Sequence, residues 1–266
     1  MADTIAINSI SNKKLKHLNE LMRKSRTRHE EGCFVAEGWH LLEEAPRERL
    51  RAVYVSHSYF TQDSTPFDEL PCPCYVVDDA LFDRVSDTKN PQGVISLVEI
   101  VRPNQQALLK GKTPLLLVLD QISDPGNMGT IIRTAEAAGA DAVILSPGCA
   151  DPYQPKVVRS AMGALYRVPI IATGKAENLT ARLVRLQTDG VCLYGTDPQD
   201  ARSYDEPDYT AGTAFVIGNE SRGVSKELLS RCDETVCIPM KGQVESLNAA
   251  IAASVLLFEA ARQRRS

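Results

Sequence analysis

No run of 18 apolar residues occurs anywhere in the 266-residue chain, which leaves no candidate for a membrane-spanning helix. The opening stretch "MADTIAINSISNKKLK" holds no long apolar segment of the kind a secretory signal needs, so a cytoplasmic protein is expected. The seven cysteines are odd in number and irregular in spacing, which predicts reduced thiols and not a disulfide framework. "PCPC" supplies one C-x-C, at Cys72 and Cys74, with no second ligand pair, and no metal is expected. Histidine is scarce too: His17, His29, His40 and His57 all fall in the first 57 residues, so chemistry in the C-terminal half has no histidine to use. Two common functions of α/β proteins are also excluded. No G-x-G-x-x-G is present, which argues against a dinucleotide-dependent dehydrogenase, and "GNESRGVS" (Gly218–Ser225) has the glycine spacing of a P-loop without its lysine. Internal repeats and low-complexity tracts are absent.

The net charge of −4 would by itself argue against nucleic acid, but its distribution reverses the inference. Between Asn8 and His29 the chain carries Lys13, Lys14, Lys16, Arg23, Lys24, Arg26 and Arg28 against Glu20 alone. Such a block suits a phosphate backbone; the competing reading is an ordinary solvated basic helix. Leu15, Leu18, Leu21 and Met22 predict an amphipathic helix from Lys13 to about Arg28, followed by strands at "CFVAEG", "RAVYVS", "CYVVDD" and "PQGVISLVEI" and a helix near Trp39 to Ala45. The polar segment "VRPNQQALLKGKTP" reads as a linker, giving a small α/β domain over residues 1–108 and a second domain over 109–266.

In the second domain, near-continuous apolar strands alternate with helices: "LLLVLD", "DAVILS", "VPII", "VCLYGTD", "TAFVIGN" and "ETVCIPM", with a final helix from about Leu247 to Arg264. That grammar predicts a mostly parallel sheet covered on both faces, which binds ligands at the carboxyl ends of its strands. Polar residues stand at those ends. In "DPGNMGTIIRTAEAAGA" (Asp124–Ala140), Ile131, Ile132, Ala135 and Ala138 form a core stripe and Arg133 lies nearly opposite it. Arg133 either pairs with Glu136 in solvent or faces an anion. After "FVIG" come Asn219, Glu220, Ser221, Arg222 and Gly223; after "VCIPM" come Ser246, Leu247 and Asn248. Ser246 also reads as a helix N-cap, and Glu220 as a helix-start carboxylate.

Taken together, "DPGNMGTIIRTAEAAGA", "FVIGNESRGVS" and "IPMKGQVESLNAAIAAS" resemble the three motifs of the SpoU (TrmH) branch of the SPOUT RNA methyltransferases, in the right order. "SISNKKLKHLNELMRKSRTRHEEGCFVAEG" is similar to that family's N-terminal RNA-binding domain. The resemblance implies methyl transfer from S-adenosylmethionine to a ribose 2′-hydroxyl in RNA by a homodimer, with a deep trefoil knot in the C-terminal sheet. Carried over by position, Asn127, Arg133, Glu220, Ser246 and Asn248 match active-site positions, and Thr196, Gly218, Ile238, Met240 and Leu247 match the cofactor loops. Because guanidinium stays protonated, Arg133 reads as a clamp on phosphate and 2′-oxygen, with Glu220, Ser246 and Asn248 orienting it or relaying the proton. The separate N-terminal domain favours ribosomal over transfer RNA. Base methylation and a non-catalytic RNA-binding role are the alternatives.

Overall fold

The computed structural model describes residues 4–103, 113–173, 179–197, 201–244 and 246–265; most of the expected linker lies outside the described residues. Two compact units result. One holds the described residues up to Val101 together with Asp151–Tyr166, and the other holds those of Arg102–Ala150 and Arg167–Ser266.

The first unit is a five-stranded sheet of β1 (Thr4–Ile7), β2 (Cys33–Glu37), β3 (Leu50–Ser56), β4 (Cys74–Val77) and β5 (Val94–Glu99), in the order β1-β4-β3-β5-β2. β1, β4 and β3 run parallel, while β5 is antiparallel to β3 and β2. The strand β1 and the helices His57–Gln62 and Asp79–Val85 were not foreseen from sequence. The helix Lys13–Arg23 buries Leu15, Leu18, Leu21 and Met22 and is capped by Asn12, whose side chain accepts from the amide of Lys14. It ends earlier than its periodicity predicts. Lys24 turns extended (φ −111°, ψ 110°) and a second helix, Ser25–Glu31, starts at a new angle before Gly32 closes it in the left-handed region at φ 65°. Arg28 makes this break tenable: its Nη1 donates to the orphan carbonyls of Leu21 (2.6 Å) and Met22 (3.1 Å).

Arg28 is consequently 3% exposed, and its other nitrogens, Nε and Nη2, reach Asp151 Oδ2. Burial alone would raise the Asp151 pKa, but hydrogen bonds from His29, the Tyr153 amide and Arg28 outweigh it and hold the carboxyl well below the usual carboxylate range. Tyr153 and Tyr166 from the same segment pack on Phe34, and Tyr166 donates its hydroxyl to the Leu41 carbonyl at 2.9 Å.

The second unit is a seven-stranded, all-parallel sheet of β6 (Leu115–Leu119), β7 (Ala142–Leu145), β8 (Ile170–Ala172), β9 (Cys192–Thr196), β10 (Arg202–Ser203), β11 (Thr213–Ile217) and β12 (Glu234–Cys237). Its order is β10-β12-β9-β11-β6-β7-β8. Every residue of β6, β7 and β11 is buried, as expected of central strands covered on both faces. The helices Pro125–Ala137 and Ala249–Gln263 pack on each other, the latter also against β11. Leu256 and Leu257 of the last helix are at most 1% exposed, so they are core residues of this chain.

Candidate functional site

Asp124 caps the Pro125–Ala137 helix by accepting from the Asn127 amide at 2.8 Å, and Pro125 occupies a first-turn position where no amide is missed. Burial of Met128, Ile131, Ile132 and Ala135 fixes the rotation of this helix, and each of the two isoleucines contributes about 2 kcal/mol. The opposite face carries Arg133, which is exposed and makes no hydrogen bond or ion pair with any described residue. Its expected helical partner, Glu136, pairs instead with Arg167 at 2.8 Å.

At the end of β11 the chain doubles back so tightly that a Cβ on Gly218 would lie 2.0 Å from the backbone of Gly223 and Val224. Only glycine fits there. Asn219 and Gly223 exchange backbone hydrogen bonds of 2.9 and 3.0 Å across the turn, which Gly223 completes at φ 67°. Asp120 anchors the loop from below. This carboxylate, 3% exposed at the end of β6, accepts from the Ser225 amide (2.9 Å) and from Ser146 Oγ (3.2 Å). The neighbouring Gln121, at φ 55°, turns its carbonyl to Asn219 Nδ2 at 2.9 Å. Asp120 and Gln121 escaped the sequence reading; the acid closing "LLLVLD" was the available signal.

Asn127 ties three strand-end loops together. Its Nδ2 donates to Glu220 Oε1 (2.8 Å) and its Oδ1 accepts from Asn248 Nδ2 (2.9 Å). With donor and acceptor ends both engaged, the amide has one orientation. Asn248 also caps the last helix, accepting from the amides of Ala250 and Ile251, so of the serine and asparagine that stand where an N-cap is expected it is the asparagine that caps. Glu220 and Asn248 thus both bond Asn127, and neither bonds Arg133 in this structure.

Beside this knot of amides lies a cleft of about 680 Å³ at the carboxyl ends of β9, β11 and β12. Thr196, Gly218, Ile238, Met240 and Leu247 all line it, together with Glu220 and Ser246. Arg133, Asn127 and Asn248 are not among its walls. The walls combine apolar side chains, such as Val236, Ala252 and Leu256, with loop backbone. Thr196 Oγ1 is spent on the Val216 carbonyl (2.9 Å), so Thr196 offers the cleft mainly its backbone. Among the described residues no cluster of His, Cys, Asp or Glu could hold a metal ion, and no helix is long and apolar enough to cross a membrane. Burial pushes the thiols of Cys33 and Cys74, both in the core, up to about 11, and that of the half-buried Cys232 up to about 12, so none is poised as a thiolate.

The SpoU rRNA Methylase family model matches residues 114–258, which include all three loops. The chain belongs to the SpoU family. Residues 12–96 match an MRM3-like substrate binding domain. Over 255 residues the chain is 35% identical to a 23S rRNA (guanosine(2553)-2'-O)-methyltransferase, RlmP of Bacillus subtilis, covering 95% of this chain and 97% of that one. The SpoU methyltransferase AviRb of Streptomyces viridochromogenes, solved in complex with AdoMet, superposes with a TM-score of 0.85 at 28% identity over 96% of this chain and 99% of that one. A TrmH/SpoU tRNA modifying enzyme of A. aeolicus aligns with 59% of this chain and 79% of its own, with a TM-score of 0.52 at 29% identity.

Of the basic block, Lys13, Lys14, Lys16 and Arg23 are exposed, with Lys14 Nζ 5.9 Å from the Tyr75 ring centroid. Lys24 and Arg26 are exposed but each engages a glutamate one turn away, Glu20 and Glu30, both at 2.7 Å. Arg28 is withdrawn from the surface by its buried pairing with Asp151. The block is thus four exposed cations, two solvent-exposed ion pairs and one core tie.

Proposed function

We propose that this SpoU protein transfers a methyl group from S-adenosylmethionine to a ribose 2′-hydroxyl of ribosomal RNA. The observation that carries the reading is the cleft of mixed apolar and backbone character at the ends of β9, β11 and β12, with the Glu220–Asn127–Asn248 chain beside it tying the loops after β6, β11 and β12. Such walls fit an adenosine with an amino-acid tail: flat, apolar surfaces for the base, backbone donors and acceptors for its edge. When bound, the cofactor supplies a methyl group on positively charged sulfur, an electrophile that needs alignment more than activation.

Arg133, exposed and unengaged, holds the phosphate and 2′-oxygen of the target nucleotide through its planar fork and stabilises negative charge as it develops on that oxygen. It is not the base. Glu220 Oε1 is taken by Asn127, and Oε2 is left to accept the proton, directly or through Ser246. Asn127 and Asn248 act on orientation.

The preference for ribosomal over transfer RNA rests on coverage. The RlmP relative, named for 23S rRNA, covers 95% of this chain, whereas the tRNA-modifying structure aligns with 59% of it. We further propose a homodimer, supported by Ile251 and Phe258, which are 52% and 47% exposed one heptad apart on the last helix. The trefoil knot is proposed as well. Its support is the chain's course from β12, outside β9, back to a helix against β11. A cytoplasmic site of action is proposed with the substrate.

Alkaline cleavage of RNA labelled from methyl-tritiated cofactor tests the reaction, because a 2′-O-methyl group blocks attack on the adjacent phosphate. Label should appear in an alkali-resistant dinucleotide and vanish when the target ribose is replaced by deoxyribose. Label in mononucleotides would mean base methylation and overturn the ribose reading.

A further inference from the structure

Ribose methylation assigns no task to "SDTKNPQG" (Ser86–Gly93), which joins the Asp79–Val85 helix to β5. Yet this loop is built to hold one shape. Glu37, 7% exposed at the end of β2, accepts from Ser86 Oγ, from Thr88 Oγ1 and, at 3.1 Å, from the Asp87 amide. Three donors on one buried carboxylate fix the first half of the loop. Gln92 fixes the second half, its Oε1 accepting from the Trp39 amide at 3.3 Å. The approach is so close that a Cβ on Gly38 would stand 2.7 Å from Gln92 Oε1, and one on Gly93 2.9 Å from Tyr59 Cβ. Between the clamps, Lys89 and Asn90 are exposed. Asp87 is neutralised by Arg159 Nη2 at 2.9 Å, so Lys89 gives the loop a net positive charge.

Against the Gln92 end of this loop lies the chain's single tryptophan. Trp39 and Tyr59 stack at 6.4 Å between centroids and 27° between planes, both meet Phe67 edge-on at 6.2 Å, and both stay only partly buried while Phe67 is 1% exposed. We infer that Trp39, Tyr59 and the clamped loop form a platform for an unpaired nucleobase of the substrate RNA, with Lys89 meeting a flanking phosphate and the Asn90 and Gln92 amides the base edge. Partly exposed aromatic rings beside amide groups and one cation match how proteins take up splayed, single-stranded bases; a duplex, whose bases are stacked inside, offers nothing to such a surface. The inference rests on the RNA reading above and adds the form of RNA that the first unit reads.

Because Trp39 is the only tryptophan, its emission reports this surface alone. Full-length protein is titrated with an unpaired RNA of about 12 nucleotides, within the usual span of single-strand sites, and with the same strand annealed to its complement. The anisotropy of a dye on the RNA is followed in parallel. Trp39 emission should be quenched along the binding curve of the unpaired strand, with little change on the duplex. Trp39→Leu and Lys89→Ala should each weaken binding of the unpaired strand roughly fivefold or more. Trp39→Phe, which keeps a ring on Phe67, should recover most of the loss, and calorimetric cofactor binding should stay unchanged in all three. Binding seen by anisotropy with unchanged emission, wild-type affinity in the Trp39→Leu and Lys89→Ala proteins, or no binding of the unpaired strand overturns the platform while leaving methyl transfer standing. Absence of cofactor heat in the wild type would instead overturn the methyltransferase reading itself.

Discussion

The two units use arginine in opposite ways. In the first unit, Arg28 is consumed by the fold, satisfying the end of a broken helix and a buried aspartate, as Glu37 is by its three loop donors. In the second unit, the all-parallel sheet pushes its polar groups out past the strand ends, where Asn127 arranges them and Arg133 stands unengaged. A mixed sheet with antiparallel strands and short helices must fill its corners with side chains. A parallel sheet delivers several loops to one edge and leaves chemistry there. The same residue type, arginine, is thus a structural bolt at position 28 and a candidate reagent at position 133.

The sharpest way to break this contrast is to exchange the roles. Arg133→Lys keeps the charge and loses the fork, and methyl transfer should fall by about 100- to 1000-fold with cofactor binding unchanged and no loss of melting temperature. Near-normal turnover would return Arg133 to the status of a solvated surface residue. Asp151→Asn should do the reverse: leave the chemistry alone in folded protein and cost about 3 kcal/mol of stability by stranding a buried guanidinium. Since the Asp151 pKa is depressed in the fold, its contribution is fully present above the unfolded value near 3.9 and is lost as pH falls below it. Melting curves of the wild type should therefore drop more steeply under acid than those of the asparagine variant. The smallest effect belongs to the exposed cations. Lys13→Ala with Lys16→Ala should weaken RNA binding roughly threefold to tenfold and flatten its salt dependence by one to two in log–log slope, about 0.7 to 0.9 per phosphate contact. Lys24→Ala, already engaged by Glu20, should change both less.

The same contrast explains what the sequence disclosed. Parallel strands announce themselves as apolar runs, so the strand ends, and with them Asn127, Glu220 and Asn248, could be located by reading along the chain. The opposition of Arg133 to Ile131 and Ile132 followed from helical periodicity alone. What stayed hidden depended on partners far away in sequence. Nothing local says that Glu136 will turn to Arg167, or that Arg28 will meet Asp151, which lies 123 residues on. The break at Lys24 was equally illegible, because the leucine pattern continues through it and the carbonyls it frees are satisfied by a side chain counted as surface charge. β1 was missed because "TIAI" is only four residues long, too short a run for its pattern to reveal a strand.

The segment Asp151–Tyr166 falls inside the stretch that matches the SpoU methylase family, yet it belongs to the compact unit built by the first hundred residues. Inheritance of the two halves is therefore not cleanly modular. A recombination event that brought in a new N-terminal half at the linker would leave Asp151, Tyr153 and Tyr166 shaped for the old one, without the Arg28, Phe34 and Leu41 that receive them. A change of RNA target by domain exchange would have to be written at two separated places in the gene, and the early products of such an exchange would be limited by folding before they were limited by recognition.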